Sequence, residues 1–319
     1  IDEFPGFYIQ ARTTRAYTAQ AAANAIGYVS EISKYKLEND KSGIYKQGDY
    51  IGQSGIEAYY EQYLRGQRGV RFKLRNVDGV EKGSFRNGAI DTLSIPGQDI
   101  TSTLDLDLQS YGEYLLKGKA GSIIAIEPST GEILAMVSGP SYDPTLLTGK
   151  HYSSNFVLIS NDTNKPLFNR PLMAQYRPGS IFKIAQAMVA LQEGVITEET
   201  RIRCDRSIID CHGPHSNEDL RGAITHSCNP YFWGVLRRML NQGVSDNPFD
   251  DTRIGLKEWS RHIGSFGFGK RLGIDLPNEK GGLVPDPAYY DRAYGGRPWK
   301  FSNIYSIAIG EGENMVVPL

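Results

Sequence analysis

The chain has 319 residues, of which 40% are hydrophobic and 22% are charged, and its formal net charge is −1. This composition is typical of a folded globular protein with room for two domains, and it excludes a disordered chain and a polybasic nucleic-acid or membrane-surface role. No apolar run reaches the roughly 20 residues that a membrane helix needs. The first residue is Ile1 and not Met, from which we expect the natural protein to begin earlier, with an anchor or signal removed.

Residues 1–95 are polar, rich in tyrosine and punctuated by glycine. The spacing of their apolar residues predicts helices near 14–26 and 54–64. Residues 70–79, VRFKLRNVDG, predict a strand that ends in an Asp-Gly turn. We interpret this part as a small α+β domain that ends at the loop signal IPGQD, residues 95–99.

Residues 96–319 have the pattern of a second, larger domain. Residues 101–118 predict a strand followed by an amphipathic helix, and residues 121–140 place two β-rich apolar runs around Pro-Ser-Thr-Gly, the pattern of an antiparallel hairpin. Further helices are predicted at 180–193, 217–226, 229–242 and 253–265. Antiparallel strands followed by a block of helices favour an α+β fold over a parallel doubly wound sheet.

The stretch RPGSIFKIAQAM, residues 177–188, contains a single lysine in an apolar helix. Apolar residues cover almost its whole circumference, so we expect the helix to be buried on nearly all sides. Burial disfavours the charged form of Lys183 and lowers its pKa, which makes the amine a proton acceptor near neutral pH. Ser180 lies one helical turn earlier, at the predicted helix N-terminus, where backbone N–H groups favour negative charge. This pattern predicts a serine nucleophile activated by lysine.

Two short motifs, Ser-x-x-Lys and Ser-x-Asn, each occur more than once in the chain. Ser-x-x-Lys recurs at Ser33–Lys36, in a highly charged segment that indicates solvated surface. Ser-x-Asn occurs at Ser153–Asn155, Ser227–Asn229 and Ser245–Asn247. We favour Ser227 and Asn229 because Pro230 and the aromatic residues after it suit the start of a buried helix. The alternative is that Ser227 or Asn229 only caps that helix.

Together, Ser180–Lys183 and Ser227–Asn229 resemble the motifs of the penicillin-binding protein and serine β-lactamase superfamily. Longer segments sharpen the resemblance. Residues 52–69 resemble the N-terminal pedestal of class B penicillin-binding proteins, and residues 121–144 resemble the first hairpin of their transpeptidase domain. Residues 266–279 and 306–319 resemble segments that precede their third motif, and the nearest subgroup is the elongation-specific type.

The resemblance implies a transpeptidase fold over residues 96–319, an antiparallel sheet with helices on both faces, behind a pedestal domain of residues 1–95. It also implies a role for each motif residue. Ser180 attacks the penultimate carbonyl of a D-Ala-D-Ala stem peptide and contributes its N–H to the oxyanion hole. Lys183 is the base, Ser227 relays a proton and Asn229 holds the substrate amide.

The implied activity is that of a peptidoglycan D,D-transpeptidase of cell-wall elongation, in which a neighbouring stem amine accepts the acyl group. Two alternatives remain, a D,D-carboxypeptidase or β-lactamase with water as acceptor, and a non-catalytic scaffold module. The implied partners are stem peptides, β-lactam antibiotics, and the membrane glycosyltransferase and scaffold of the elongation complex, with no nucleic acid. The implied location is the periplasmic side of the bacterial inner membrane, through an anchor that this chain lacks.

The third motif of the family, Lys-Ser/Thr-Gly, is not found after Asn229. Lys41-Ser42-Gly43 precedes the nucleophile and lies in the wrong domain. We interpret the absence as truncation at Leu319. Without the cation that binds the substrate carboxylate, we expect the chain as given to acylate inefficiently.

The three cysteines fall within 25 residues, between 204 and 228, together with three of the five histidines. In the oxidising compartment that the resemblance implies, one disulfide would leave one thiol free. A Cys₃His zinc site would use all three cysteines and leave no thiol free. Some penicillin-binding proteins of the elongation type carry zinc beside the active site. The predicted ligands are Cys204, Cys211, His215 and Cys228.

Three alternatives to this ligand set stay open. His212 or Asp210 replaces one ligand, Cys204 and Cys211 form a disulfide, or all three cysteines are plain buried thiols. We expect catalysis to need no cofactor, and a zinc ion to brace the second motif structurally.

Overall fold

The computed structural model describes residues 15–213 and 215–319. They form two compact units. The first comprises the described residues up to Pro171 with Asp275–Asn278, and the second comprises Leu172–Ile274 with Glu279–Leu319. The strands are β1 (Val29–Glu31), β2 (Tyr50–Gly52), β3 (Lys73–Arg75), β4 (Glu81–Ser84), β5 (Gly121–Ile126), β6 (Ile133–Gly139), β7 (Ile202–Arg203) and β8 (Asn217–Glu218). The helices are α1 (Ala23–Ile26), α2 (Lys34–Glu38), α3 (Gly55–Tyr59), α4 (Glu61–Leu64), α5 (Leu106–Leu115), α6 (Tyr152–Ser160), α7 (Arg170–Met173), α8 (Phe182–Gln192), α9 (Leu220–Thr225), α10 (Asn229–Leu240), α11 (Pro248–Ser265), α12 (Pro287–Ala293) and α13 (Phe301–Ile304). This mixture confirms the predicted α+β class.

Two predicted strand features of the first unit are confirmed. The hairpin of residues 121–140 forms as β5 and β6, with Gly121 opposite Gly139 and Ile126 opposite Ile133. The strand of residues 70–79 pairs through β3 with β4. In the part of the chain that the structure describes, every sheet has two antiparallel strands.

Helix α5 packs directly on β6 and confirms the helix expected within residues 101–118. The Gln109 side chain accepts the Met136 N–H at 2.8 Å and donates to the Met136 carbonyl at 3.2 Å. A Cβ on Gly112 would stand 2.6 Å from Val137 Cγ2, so glycine permits this close packing. The strand expected before the helix is wrong, since residues 101–104 are irregular.

The predicted helix of residues 14–26 is wrong over most of its length, because α1 begins only at Ala23. Residue 14 lies outside the described residues. Ala22 has a left-handed φ of 61° and donates its N–H to Glu113 Oε1 at 2.7 Å. The buried Asn24 side chain donates to the Pro166 carbonyl at 2.8 Å. These tertiary bonds outweigh the helix preference of an alanine-rich run. The helix near 54–64 is confirmed as α3 and α4, with an interruption at Tyr60.

The core of the second unit consists mainly of α8, α10 and α11. Gly255 of α11 meets α10 so closely that a Cβ on it would stand 2.5 Å from Leu240 backbone atoms. Trp259 of α11 donates its indole N–H to Gln186 Oε1 of α8 at 2.7 Å. Helix α10 buries Tyr231, Phe232, Val235, Leu236, Met239 and Leu240.

The helices predicted in this region form, some of them with shifted starts. The start predicted at 217 is wrong, because Asn217 and Glu218 form β8 and α9 begins at Leu220. Helix α11 begins at Pro248, five residues before the predicted start at 253.

None of the helices in residues 15–213 and 215–319 has the length and apolar character needed to cross a membrane.

Candidate active site

Ser180 lies in a short 3-10 turn, Gly179–Ile181, that leads directly into α8. Gly179 has a φ of +60°, which a residue with a side chain rarely adopts, so glycine suits the sharp entry to the helix. The Ser180 side chain is exposed. The structure therefore presents this hydroxyl to solvent immediately before the helix that carries Lys183.

The expectation that α8 is buried on nearly all sides is wrong. Its sequence is apolar all round, but Ile181, Ile184, Met188 and Leu191 lie on one exposed stripe, with 39% to 75% of each residue accessible. Lys183 lies on the covered face and is only 2% exposed. An all-apolar helix does not reveal which face is covered, because periodicity then carries no information.

The Lys183 amine is held by three oxygen atoms of the Ser227–Asn229 segment. It donates to the Ser227 carbonyl at 2.8 Å, to Ser227 Oγ at 3.0 Å and to Asn229 Oδ1 at 2.5 Å. Within the described residues no hydrogen bond joins Lys183 to Ser180. The structure thus brings Lys183, Ser227 and Asn229 together, with Ser180 one helical turn away.

Burial lowers the pKa of Lys183 below its ordinary value of 10.5, and the nearby sulfur atoms of Cys211 and Cys228 offset part of that effect. The Phe232 ring lies beneath the amine, with 5.7 Å between Nζ and the ring centroid. A lysine in such surroundings releases its proton at a lower pH than a solvated one.

The local backbone explains why Ser227 and Asn229 face the lysine. Ser227 has a φ of 52°, a left-handed conformation that is uncommon for serine, between the end of α9 and the start of α10. Asn229 is the first residue of α10, and Pro230 follows it in the first turn, as the sequence predicts. The Asn229 side chain is fixed from both ends, since its Nδ2 donates to the Asp210 carbonyl at 2.8 Å.

The other copies of the motifs have local structural partners. Ser33 caps α2 by accepting the Lys36 N–H at 3.3 Å. Asn155 donates to the Leu146 carbonyl at 2.8 Å. Asn247 caps α11 by accepting the Phe249 N–H at 3.1 Å. Each of these contacts is what a capping or loop residue makes.

The three cysteines converge beside this site. They are all buried, none forms a disulfide, and their sulfur atoms lie within 4.8 Å of one another. Each sulfur also accepts backbone N–H groups: Cys204 from His215, Cys211 from His212 and Asn229, and Cys228 from Tyr231. Such N–H donors favour thiolate, which is the form that binds metals.

The pKa values of the thiols differ with their surroundings. Burial raises the pKa of Cys204, and it raises that of Cys228 to about 12. Burial acts in the same direction on Cys211, but the Asn229 N–H and the two other thiols outweigh it and lower its pKa. Cys211 is therefore the thiol that loses its proton most readily.

His215, the predicted fourth ligand, belongs to a separate group with Glu218 and His226, whose ligand atoms also lie within 4.8 Å of one another. The His215 and His226 rings stack with 5.0 Å between centroids. His215 Nε2 is buried without a hydrogen-bond partner. A buried ring nitrogen without a partner is what an absent ligand would leave, so the donor types present fit zinc.

Comparison with known proteins identifies the family. Residues 121–311 match the family described as penicillin binding protein transpeptidase domain, and residues 1–102 match the penicillin-binding protein dimerisation domain. The chain belongs to the penicillin-binding protein transpeptidase family. This confirms the family and the fold that the motifs predicted.

The relatives of the chain include peptidoglycan D,D-transpeptidases named MrdA and solved structures of PBP2. The chain is 32% identical over 338 aligned residues to the peptidoglycan D,D-transpeptidase MrdA of Acinetobacter baumannii, covering 99% of this chain and 46% of that protein. The structure of Pseudomonas aeruginosa PBP2 in complex with WCK 5153 matches with a TM-score of 0.75 and 29% identity, over 96% of this chain and 61% of that one. The complex between PBP2 and MreC from Helicobacter pylori matches with a TM-score of 0.77 and 26% identity, over 96% and 55%. The chain spans about half the length of the curated relatives it matches.

One part of this penicillin-binding protein site had no signal in local motifs. Residues 310–316 run alongside the turn that carries Ser180: the Gly179 N–H donates to the Gly310 carbonyl at 2.9 Å, and Tyr176 and Val316 exchange two backbone hydrogen bonds. Arg177 Nε donates to the Gly312 carbonyl at 3.0 Å. This pairing joins residues as far apart as Arg177 and Gly312, which are 135 positions apart, and the sequence offers only the resemblance of residues 306–319 to a segment of the family.

Proposed function

We propose that the chain is the acyl-transfer part of a peptidoglycan D,D-transpeptidase that acts in cell-wall elongation and is a target of β-lactams. The observation that carries this proposal is the bonding of the Lys183 amine to Ser227 Oγ and Asn229 Oδ1, one helical turn from an exposed Ser180. The relatives named as D,D-transpeptidases support it.

In the proposed first step, Ser180 Oγ attacks the penultimate carbonyl of a stem peptide that ends in D-Ala-D-Ala. Neutral Lys183 takes the hydroxyl proton, and Ser227 Oγ passes a proton to the leaving amine as the C–N bond breaks and D-Ala departs. The Ser180 N–H lies at the entry of α8, where it can stabilise the oxyanion. The Asn229 amide orients the peptide.

In the second step, the amine of a neighbouring stem attacks the ester and forms the cross-link. Water as acceptor would give a carboxypeptidase instead, and the N-terminal match to a dimerisation domain supports the transpeptidase. We also propose that the boundary between the two domains lies near residue 95.

A fluorescent penicillin tests the nucleophile. We expect the full-length protein to be labelled and Ser180→Ala to abolish the label, because no other serine in the site is exposed at the helix entry. Ser33→Ala is the matched control, since Ser33 belongs to the second Ser-x-x-Lys motif, and it should retain full labelling. Labelling that survives Ser180→Ala would refute the assignment.

A structural zinc ion is the second part of the proposal. Cys204, Cys211 and Cys228 would hold it with His215, in the set that the sequence predicts, and the convergence of three buried sulfurs supports this. Bound zinc would hold the thiols as thiolates and cross-link the segment around Cys228. The protein groups that brace Asn229 are the Asp210 carbonyl and the sulfur of Cys211.

Elemental analysis of purified protein tests the metal and its fourth ligand. We expect about one zinc per chain, lost in Cys211→Ser and strongly reduced in His215→Ala. His226→Ala is the matched control, because His226 stacks on His215 but lies at the exposed end of the pair, and it should keep the metal. A metal-free protein with a Cys204–Cys211 disulfide in mass spectrometry would rule the site out.

The place and partners follow from the same proposal. The transpeptidase would work on the periplasmic side of the inner membrane, with a membrane glycosyltransferase and a scaffold protein of the elongation complex. The PBP2–MreC complex among its structural relatives supports a scaffold partner. Co-purification of the full-length protein with the membrane fraction and cross-linking in cells test both points.

A further inference from the structure

The first unit contains a cleft between the β1–β2 sheet and the start of helix α6. Strand β1 and the chain near Gln53 form one wall, and residues 147–150 with the first turns of α6 form the other. The cleft has a volume of about 480 Å³, within the range of about 300–1,000 Å³ that is usual for small-molecule sites. Every lining residue belongs to the first unit, whereas the acyl-transfer residues all belong to the second.

Three aromatic rings in contact with one another line this cleft. Tyr152 and Phe156, one helical turn apart on α6, stack with 5.7 Å between ring centroids and 17° between ring planes. Tyr28, immediately before β1, lies 6.3 Å from the first ring and 6.0 Å from the second. Each of the three residues is only half-buried. A cluster of rings that stays open to solvent offers a surface on which the apolar face of a ligand can lie.

The walls that carry these rings are held by their own hydrogen bonds. The Gln53 N–H donates to the Tyr28 carbonyl at 2.8 Å, which ties the start of β1 to the chain after β2. On the other wall, the Asn155 side chain donates to the Leu146 carbonyl at 2.8 Å, and Leu147 is buried. The cleft is therefore formed before any ligand enters it.

The charges in the cleft balance one another. Glu31 on β1 and Lys150 before α6 are exposed, and in the part of the chain that the structure describes neither side chain forms an ion pair. Arg15, the remaining charged residue of the lining, pairs with the buried Glu57 at 2.6 Å. The cleft thus presents one carboxylate and one ammonium group to a ligand. Hydroxyl and amide groups can bond to both, whereas a strongly charged ligand is attracted by one and repelled by the other.

We propose that this cleft binds the glycan strand of peptidoglycan, whose sugar rings have apolar C–H faces, polar edges and an uncharged backbone. The inference rests on the proposed function, in which the stem peptides are attached to such a strand. The sugar faces lie on the rings of Tyr152 and Phe156, and the hydroxyl and acetamido groups bond to Glu31 and Lys150. Holding the strand raises the local concentration of its stem peptides around the protein.

The first test measures binding without a stem peptide. Chitohexaose, an uncharged oligomer of N-acetylglucosamine, is titrated into the full-length protein in a calorimeter. This oligomer has the sugar backbone of the strand but no D-Ala-D-Ala end for the acyl-transfer site. We expect saturable binding that is about tenfold weaker in Tyr152→Leu and in Phe156→Leu, which keep an apolar side chain but remove the ring. Lys150→Met should weaken it about threefold through the loss of a charge-assisted hydrogen bond.

Tyr111→Leu is the matched control for the aromatic variants. Tyr111 is an exposed aromatic residue of α5 in the same unit, outside the lining of the cleft, so its variant should bind chitohexaose as the wild-type protein does. Thermal unfolding followed by circular dichroism verifies that each variant is folded before its affinity is compared.

The second test asks whether the cleft serves the reaction. The full-length protein is given one of two donors, uncross-linked glycan strands that carry stem peptides or the free stem peptide alone. We expect Tyr152→Leu to raise KM for the strands about tenfold and to leave both kcat and the KM for the free peptide unchanged, because only the strand reaches the cleft.

A wild-type protein that does not bind chitohexaose would overturn the proposal, as would equal affinities in Tyr152→Leu, Phe156→Leu and Tyr111→Leu. An equal rise in KM for the two donors would also contradict it. Failure of the wild-type protein to bind fluorescent penicillin would overturn the proposed function instead, and it would leave the binding of chitohexaose unaffected. The two failures are therefore distinguishable.

Discussion

Lys183 shows how much of the chemistry is decided by the surroundings of one residue. An ammonium group has three donors, and the Ser227 carbonyl, Ser227 Oγ and Asn229 Oδ1 accept one each. In this state the lysine is a satisfied cation with no lone pair for Ser180. To act as a base it must first lose a proton, which burial makes easier.

The pH dependence of acylation follows from that requirement. Burial disfavours the charged form, so Lys183 loses its proton at a lower pH than the ordinary 10.5, and acylation should accelerate as the pH rises through that lowered pKa. Rates of fluorescent penicillin labelling between about pH 6 and about pH 10 measure the profile. Lys183→Arg keeps the charge but gives no base at these pH values, so labelling should fall by about a hundredfold or more. A Lys183→Arg variant that labels at the wild-type rate would contradict the role of the lysine.

At the level of secondary structure, the crossing of α10 and α11 depends on a glycine. Gly255 leaves no room for a Cβ against the backbone of Leu240, whereas Gly264, in the same helix, would place a Cβ 3.4 Å from the flexible end of Lys270. Both positions are helical glycines, so the helix preference for alanine is the same at each. The two substitutions therefore isolate the effect of close packing.

We expect Gly255→Ala to reduce the free energy of unfolding by about 1–3 kcal/mol, since two helices must move apart. Gly264→Ala should be neutral or stabilising by up to about 1 kcal/mol. Urea denaturation followed by circular dichroism measures both. Equal effects at the two positions would show that the helix crossing is not tightly packed.

The elements also show where sequence reasoning succeeds. The hairpin β5–β6 and helix α10 were predicted because their apolar residues follow periods of two and of 3.6 residues and their turns contain Gly or Pro. The helix expected over residues 14–26 failed because Ala22 and Asn24 bond to distant groups, Glu113 and Pro166. Local preference cannot anticipate such partners.

The prediction that α8 is buried on nearly all sides was wrong for a different reason. Ile184 and Met188 are as apolar as the buried Val189, so only the neighbouring elements decide which residues are covered. Within the site, Ser180, Lys183, Ser227 and Asn229 were found from motif spacing, and the structure brings the last three into contact. The pairing of Gly179 with Gly310 was not, because no local pattern in the sequence brings residue 310 beside residue 179.

Across the whole molecule, the protection of backbone amides against hydrogen exchange should differ from one segment to another. Strands β3 and β4 are exposed along their whole length, whereas the turn before Ser180 is tied to residues 310–316 by backbone hydrogen bonds. Amides open to solvent in local fluctuations exchange fastest.

Hydrogen exchange followed by mass spectrometry tests this distribution. Peptides containing Tyr176 and Gly179 should exchange slowly, together with those of the buried helix α10, and peptides containing β3 and β4 should exchange within the earliest time points. Rapid exchange at Gly179 would contradict the pairing with Gly310.

The hydrogen bond from Arg177 to Gly312 joins residues that are 135 positions apart in the chain. A ribosome that adds about 5–20 residues per second needs roughly 7 to 27 seconds to make the intervening segment. Throughout that interval the turn that carries Ser180 has been synthesised, but the segment that pairs with it has not. The site can therefore assemble only after residues 310–316 have been synthesised, because a nascent chain that stops before them lacks the backbone partners of the turn that carries Ser180.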